Sequence, residues 1–155
     1  MKPTTIRFAL VAGMSVFGAA MLPVHAQAPA PAKPSTKRAV LRAASELKWV
    51  DAPDAKGVQQ AVVWGNAQKG PHGSFAKFAA GTETPLHTHT AGGRSIVISG
   101  TILEGLEGQK PKELGPGSYF SMPGEVKHTT ACKAGAECII YSEWSGAFDL
   151  KPATP

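Results

Sequence analysis

Glycine and proline cut the chain into segments too short for ordinary helices, and this limits the fold more than any other feature. The clusters are Lys69-Gly70-Pro71, Gly92-Gly93, Gly115-Pro116-Gly117 and Pro123-Gly124. Between them lie runs rich in β-branched and aromatic residues: Gln59 to Gly65 (QQAVVWG), Ser74 to Phe78 (SFAKF), Arg94 to Leu103 (RSIVISGTIL), Ser118 to Met122 (SYFSM) and Cys138 to Trp144 (CIIYSEW). Short β runs separated by turn residues predict an all-β sandwich or barrel. A local irregularity is expected to split Phe75 from Phe78. No helical period is present after residue 46, and only Arg38 to Leu47 reads as a short helix.

The ends have a different character. Lys2 and Arg7 precede an uncharged apolar run, Phe8 to Leu22, and Val24-His25-Ala26 ends on a small residue. This is the layout of a secretory signal peptide cleaved after Ala26. An uncleaved membrane anchor is the alternative, but the run is short and lacks charged stop-transfer flanks. Residues 27–45 open as a Pro/Ala-rich tether (QAPAPAKPST), which cannot build a core. The folded domain is expected over 46–150, with a tail at 151–155. The chain's formal charge of +5 belongs to its N-terminal part: from Glu46 onward ten Lys and Arg face eleven Asp and Glu, a balance of −1. A domain without basic excess is not a nucleic-acid binder. Location in the periplasm or outside the cell is expected, with no membrane span after cleavage. In that oxidising setting Cys132 and Cys138 (CKAGAEC) are expected to bridge across a hairpin loop, the alternatives being free thiols or a metal ligand.

Chemistry concentrates in three histidines. His87 and His89 are two apart, and on a strand both rings point to one face. His128 follows the Pro123-Gly124 turn. Three imidazoles from two segments make a transition-metal site. Glu83, four residues before His87, would join them only if the strand starts early; otherwise it is a solvated acid. His72 reads as a loop residue, and Trp64, Trp144, Tyr119 and Phe120 as core rather than substrate platform.

The spacing of GTETPLHTHTAGGRSIVISG (from Gly81) and GSYFSMPGEVKH (from Gly117) resembles the paired motifs of the cupin superfamily, small jelly-roll barrels of the double-stranded β-helix type. The runs HTHTAGGRSIVISG, LGPGSYFSMPGEVKH and CKAGAEC also resemble an exported single-cupin family of unassigned function, domain of unknown function 4437. The resemblance implies that His87, His89 and His128 project into the barrel and hold a divalent transition metal (Fe, Mn, Zn or Ni). It also implies a homodimer, since cupins often pair. Two departures stand out. Gly93 occupies the position where the first motif usually presents a glutamate ligand, so Gly93→Glu is expected to restore one unless the backbone at Gly93 requires positive φ. In the second motif, Glu125 replaces a usual glycine and Cys132 a usual asparagine. Arg94 is a candidate anchor for a carboxylate substrate, although strand alternation opposite Gly93 turns it outward.

A three-histidine site with open positions suits metalloenzyme chemistry on a small organic molecule, dioxygenase-like or related. A non-catalytic module that binds or senses a small ligand would use the same pocket, and a third reading is a metal-free structural cupin. No general base stands beside the histidines in sequence, and no catalytic residue is identified. The mature chain should begin at Gln27 by intact-mass analysis, and Met1 retained in a membrane fraction would contradict that cleavage.

Overall fold

The computed structural model describes residues 38–155. The expected signal peptide and most of the tether lie outside the described residues. Those described form two antiparallel sheets. The larger runs, in spatial order, β1 (Val50–Asp51), β2 (Val58–Gly65), β3 (His72–Phe78), β10 (Cys138–Trp144), β5 (Gly93–Ser99) and β8 (Tyr119–Met122). The smaller runs β11 (Lys151–Pro152), β4 (His87–Thr88), β9 (His128–Cys132), β6 (Ile102–Leu106) and β7 (Lys112–Leu114). The expected helix shrinks to one 3-10 turn, Ala44–Glu46, flanked by extended residues and with nothing buried. A segment this short without an apolar face to dock cannot hold helical structure.

The apolar run Arg94 to Leu103 is two strands rather than one. Gly100 has φ +73, and there the chain leaves β5 in the larger sheet and enters β6 in the smaller. A Cβ at Gly100 would lie 2.6 Å from the Glu137 carbonyl oxygen and 2.7 Å from Cys138 Sγ. Nor is β3 irregular between Phe75 and Phe78. Their odd spacing places Phe78 in the core and Phe75 on the outer face against Tyr141, with ring centroids 5.3 Å apart. The irregularity falls instead in β2, between Val62 and Trp64.

Val58, Phe78, Val97 and Ile140 of the larger sheet meet Ile102, Leu114 and Cys132 of the smaller, and this cluster fills one end of the barrel. Cys132 and Cys138 are joined there. They belong to different sheets, so the expected hairpin is a cross-sheet staple whose loop bridges the closed end. So short a loop limits the chain-entropy contribution to roughly 2 kcal/mol. His128 begins the strand that ends at Cys132, so the histidines sit four residues, roughly 13 Å, from the packed end. The residues expected as a tail also belong to the barrel: Lys151 and Pro152 pair with Thr88 and His87.

Gly100 and Gly108 share φ +73, but a Cβ at Gly108 meets nothing within 4 Å. Gly108→Ala should therefore cost about 1 kcal/mol, the backbone term alone. Gly100→Ala should cost more than about 2 kcal/mol, because it adds a collision at the sheet crossover. Equal costs in urea denaturation would refute the crossover packing.

Candidate metal centre

The two residues of β4 lie between β9 and β11, and in the β4–β9 ladder His87 is directly opposite His128. Residues opposed in an antiparallel pair point to the same face, and His89 follows two positions along. All three rings therefore converge inside the barrel, where His87 (2 % exposed), His89 (7 %) and His128 (3 %) are buried. One ligating nitrogen from each lies within 4.8 Å of the others.

Backbone carbonyls set the chemistry of these rings. His87 Nδ1 is 2.8 Å from the Pro85 oxygen and His128 Nδ1 is 2.8 Å from the Val126 oxygen; His89 Nδ1 pairs with the Asp149 oxygen. A carbonyl only accepts, so each Nδ1 carries the hydrogen and donates it. Each Nε2 is left with its lone pair, the form a metal requires. Burial pushes His87 down to about 4; the Pro85 bond opposes this, and the neighbouring His128 and His89 rings add to it. Burial also lowers His89 and His128. At neutral pH the cluster is three uncharged donors.

A cavity of about 640 Å³ opens onto these rings. Trp144, Phe148, Phe120, Met122 and Ile140 supply much of its apolar wall.

A family model described as Domain of unknown function (DUF4437) matches residues 22–151. Solved structures share the fold. The polyketide cyclase RemF from Streptomyces resistomycificus is 18% identical, with TM-score 0.63 over 77% of this chain and 87% of that one. An RmlC-like cupin from Shewanella frigidimarina is 21% identical, with TM-score 0.58 over 71% and 93%. A cupin-2 domain from Rhodospirillum rubrum is 12% identical, with TM-score 0.59 over 76% and 82%. The chain belongs to the DUF4437 family and has the cupin fold. No functionally curated protein matches it in sequence.

In this cupin the position of the usual glutamate is occupied in another way. Gly93 lines the cavity, as its place in the motif implies, and its φ is not in the left-handed region. A Cβ there would nevertheless lie 2.9 Å from the Trp144 ring. The indole fills the space and packs against His89 (centroids 4.8 Å) and Phe148 (4.9 Å). The expectation that Gly93→Glu would simply add a ligand is therefore corrected, because the obstacle is an aromatic ring and not the backbone. Trp144, expected as core, is a wall of the cavity beside the histidines, whereas Trp64 and Tyr119 are exposed on the outside.

Glu125 alone among the described non-glycine residues has positive φ, at 64. The motif's usual glycine would hold this turn without a Cβ penalty. Here the Glu125 N–H donates to the His89 carbonyl at 2.8 Å, and its carboxylate accepts from Lys151 Nζ. The turn before His128 is thus tied to His89 and to β11.

Arg94 points outward, with its side chain 68% exposed and paired to Glu143 at 3.8 Å, and it does not line the histidine cavity. Strand alternation settles this: Ser95, its neighbour, faces in. Glu83 is exposed and joins β9 only through an isolated bridge to Ala131, outside the histidine cluster. His72 corrects the loop assignment. It is the first residue of β3, fully buried, and lies parallel to the Trp144 ring at 6.3 Å.

One buried acid was missed. Glu104 is 9 % exposed, shares its face of β6 with Ile102, and accepts from Thr130 Oγ1 at 2.9 Å; its other oxygen has no partner. Its alternation with Ile102 in TILEG was the available signal. Burial raises its carboxyl from 4.5 to about 7, and the Thr130 bond opposes the rise. Between about 4.5 and 7 the unfolded chain releases a proton that the folded chain keeps. This group's contribution therefore falls as pH rises through that window and levels off above it. Glu104→Gln should remove the effect. In metal-free protein, its stability relative to wild type should improve between pH 5 and pH 8 by on the order of 1–3 kcal/mol. The histidines titrate alike in both proteins and cancel, so an unchanged gap in urea denaturation would refute a protonated Glu104.

Proposed function

We propose that this cupin holds one divalent transition metal on His87, His89 and His128 and acts as a metalloenzyme on a small organic molecule in the adjoining cavity. The observation that carries the reading is the donor set: three buried, uncharged imidazoles, each with Nδ1 spent on a carbonyl, within 4.8 Å of one another. Such a set fits a borderline transition ion such as Fe, Mn, Zn or Ni, and leaves coordination positions open. Bound there, the ion would supply Lewis acidity or, if redox-active, dioxygenase-like chemistry.

The chain's own residues have separable tasks. The carbonyls of Pro85, Val126 and Asp149 orient the imidazoles. Trp144 and Phe148 pack over His89 and keep water from that side. The cavity accommodates a ligand larger than a diatomic, which supports an organic substrate. RemF is a polyketide cyclase, and two further neighbours at TM-scores of 0.57 and 0.55 are DMSP lyases, so this barrel hosts enzymes. Export to the periplasm or exterior belongs to the same proposal and is supported by the Cys132–Cys138 bridge. So does pairing of two copies: Ile96, Ile98 and Tyr119 are large apolar residues left exposed on the larger sheet.

Untagged mature protein should contain about one transition-metal ion per chain by elemental analysis. His87→Ala, His89→Ala and His128→Ala should each weaken binding well over tenfold, since each removes one ligand. Oxygen uptake by the Fe(II)-loaded protein with small diketones or phenols would separate an enzyme from a binding module. Equal metal content in wild type and all three variants would overturn the site.

A further inference from the structure

Opposite the histidine-bearing sheet, the inner face of the larger sheet carries a band of polar side chains between two bands of other character. Ser74 on β3 is in register with Ser142 on β10, which is in register with Ser95 on β5. Gln60 on β2 extends the row through Nε2, which donates to Ser74 Oγ at 3.1 Å. One pleat toward the packed end, the corresponding residues are Ala76, Ile140 and Val97. One pleat the other way they are His72, Trp144 and Gly93. The serines are 1 %, 2 % and 6 % exposed for Ser74, Ser142 and Ser95. Three adjacent strands placing serine at one buried level is unfavourable as packing, because each hydroxyl must be desolvated and serine fills little volume.

The band holds more hydroxyl protons than it uses internally. Ser95 Oγ and Ser142 Oγ are 2.7 Å apart, a bond that uses one of their two O–H groups. Ser74 accepts from Gln60, and its own O–H has no acceptor among the described residues. Two hydroxyl protons therefore remain for whatever occupies the cavity, which these serines, Gln60 and the three histidines line together. The threonines of the facing sheet differ. Thr84 Oγ1 donates to the Thr130 carbonyl and accepts its N–H, and Thr130 Oγ1 donates to Glu104. They are consumed by the structure.

We infer that the Ser74–Ser142–Ser95 band is a substrate-recognition element that donates hydrogen bonds to uncharged acceptor oxygens of a mainly apolar molecule, such as an aryl diketone. The unspent hydroxyl protons call for acceptors on the ligand. Arg94 faces outward, and among the described residues no arginine lines the cavity, where Lys48 is the one lining Lys or Arg. The aromatic and aliphatic walls suit an apolar body better than a sugar. The inference deepens the proposed function and rests on its cavity, but not on its metal.

The test compares 1,2-diphenylethane-1,2-dione with 1,2-diphenylethane, the same skeleton without the two oxygens, by calorimetry on the mature protein stripped of metal. The dione should bind at least tenfold tighter. Ser74→Ala, and Ser95→Ala combined with Ser142→Ala, should each reduce that preference about five- to tenfold, the loss expected for one buried hydrogen bond, without lowering the melting temperature. If the serines serve only packing, the alanine variants will shift melting and leave the preference unchanged, which overturns the inference. A dione that binds no better than the hydrocarbon, or two probes that both fail to bind, overturns it too. The same titration on zinc-loaded protein and on His87→Ala separates the two readings. A preference that appears only with zinc and vanishes in His87→Ala belongs to the metal and refutes the serine band, whereas a serine-dependent preference without zinc binding refutes the metal reading alone.

Discussion

The site depends on one backbone register, the pairing of His87 with His128 between β4 and β9. A slip of one residue would turn one set of rings to the outside, because strand side chains alternate with period two. With only two residues, β4 has little pairing of its own to hold that register. It is held from both sides, by β9 and by the C-terminal β11, and at its C-terminal end, where the Glu125 N–H donates to the His89 carbonyl and the His89 ring donates to the Asp149 carbonyl. The terminal segment of the chain is therefore part of the site's framework.

The same framework removes charge from the interior. Burial keeps the histidines neutral, and Glu104 keeps its proton toward neutral pH. Where related barrels place a carboxylate, the Trp144 ring stands against Gly93. Neutral donors and an indole in place of an anion would leave a divalent ion held there its full charge, which would favour acceptance of an outside ligand over saturation by protein groups. Gly93 and Trp144 are directly paired across β5 and β10, so the missing side chain and the large one are a single packing solution.

The barrel is built in levels. At one end, aliphatic residues and the disulfide join the sheets. Next comes a level with serines on one wall and threonines on the other, and beyond it lie histidines and aromatics. The packed apolar cluster lies in the first level, and the others line the cavity. This division lets polar groups face the cavity without weakening the core.

Much of this was legible in the chain. Gly/Pro punctuation set the all-β class, and His-x-His with a later histidine after Pro-Gly picked out the clustered trio, because alternation and turn chemistry are local properties. What the sequence could not reveal depends on contacts between distant segments. Gly100 looks like an interruption of one strand, and only the packing of Glu137 and Cys138 beneath it makes it a sheet crossover. Trp144 is fifty-one residues from Gly93, so the indole in the carboxylate's place has no local signature. Ser74, Ser95 and Ser142 are unremarkable one at a time and form a band only through strand register. The sequence by itself determined which residues alternate and turn. The tertiary structure decided which of them meet, because register and sheet order follow from burying the whole apolar face at once.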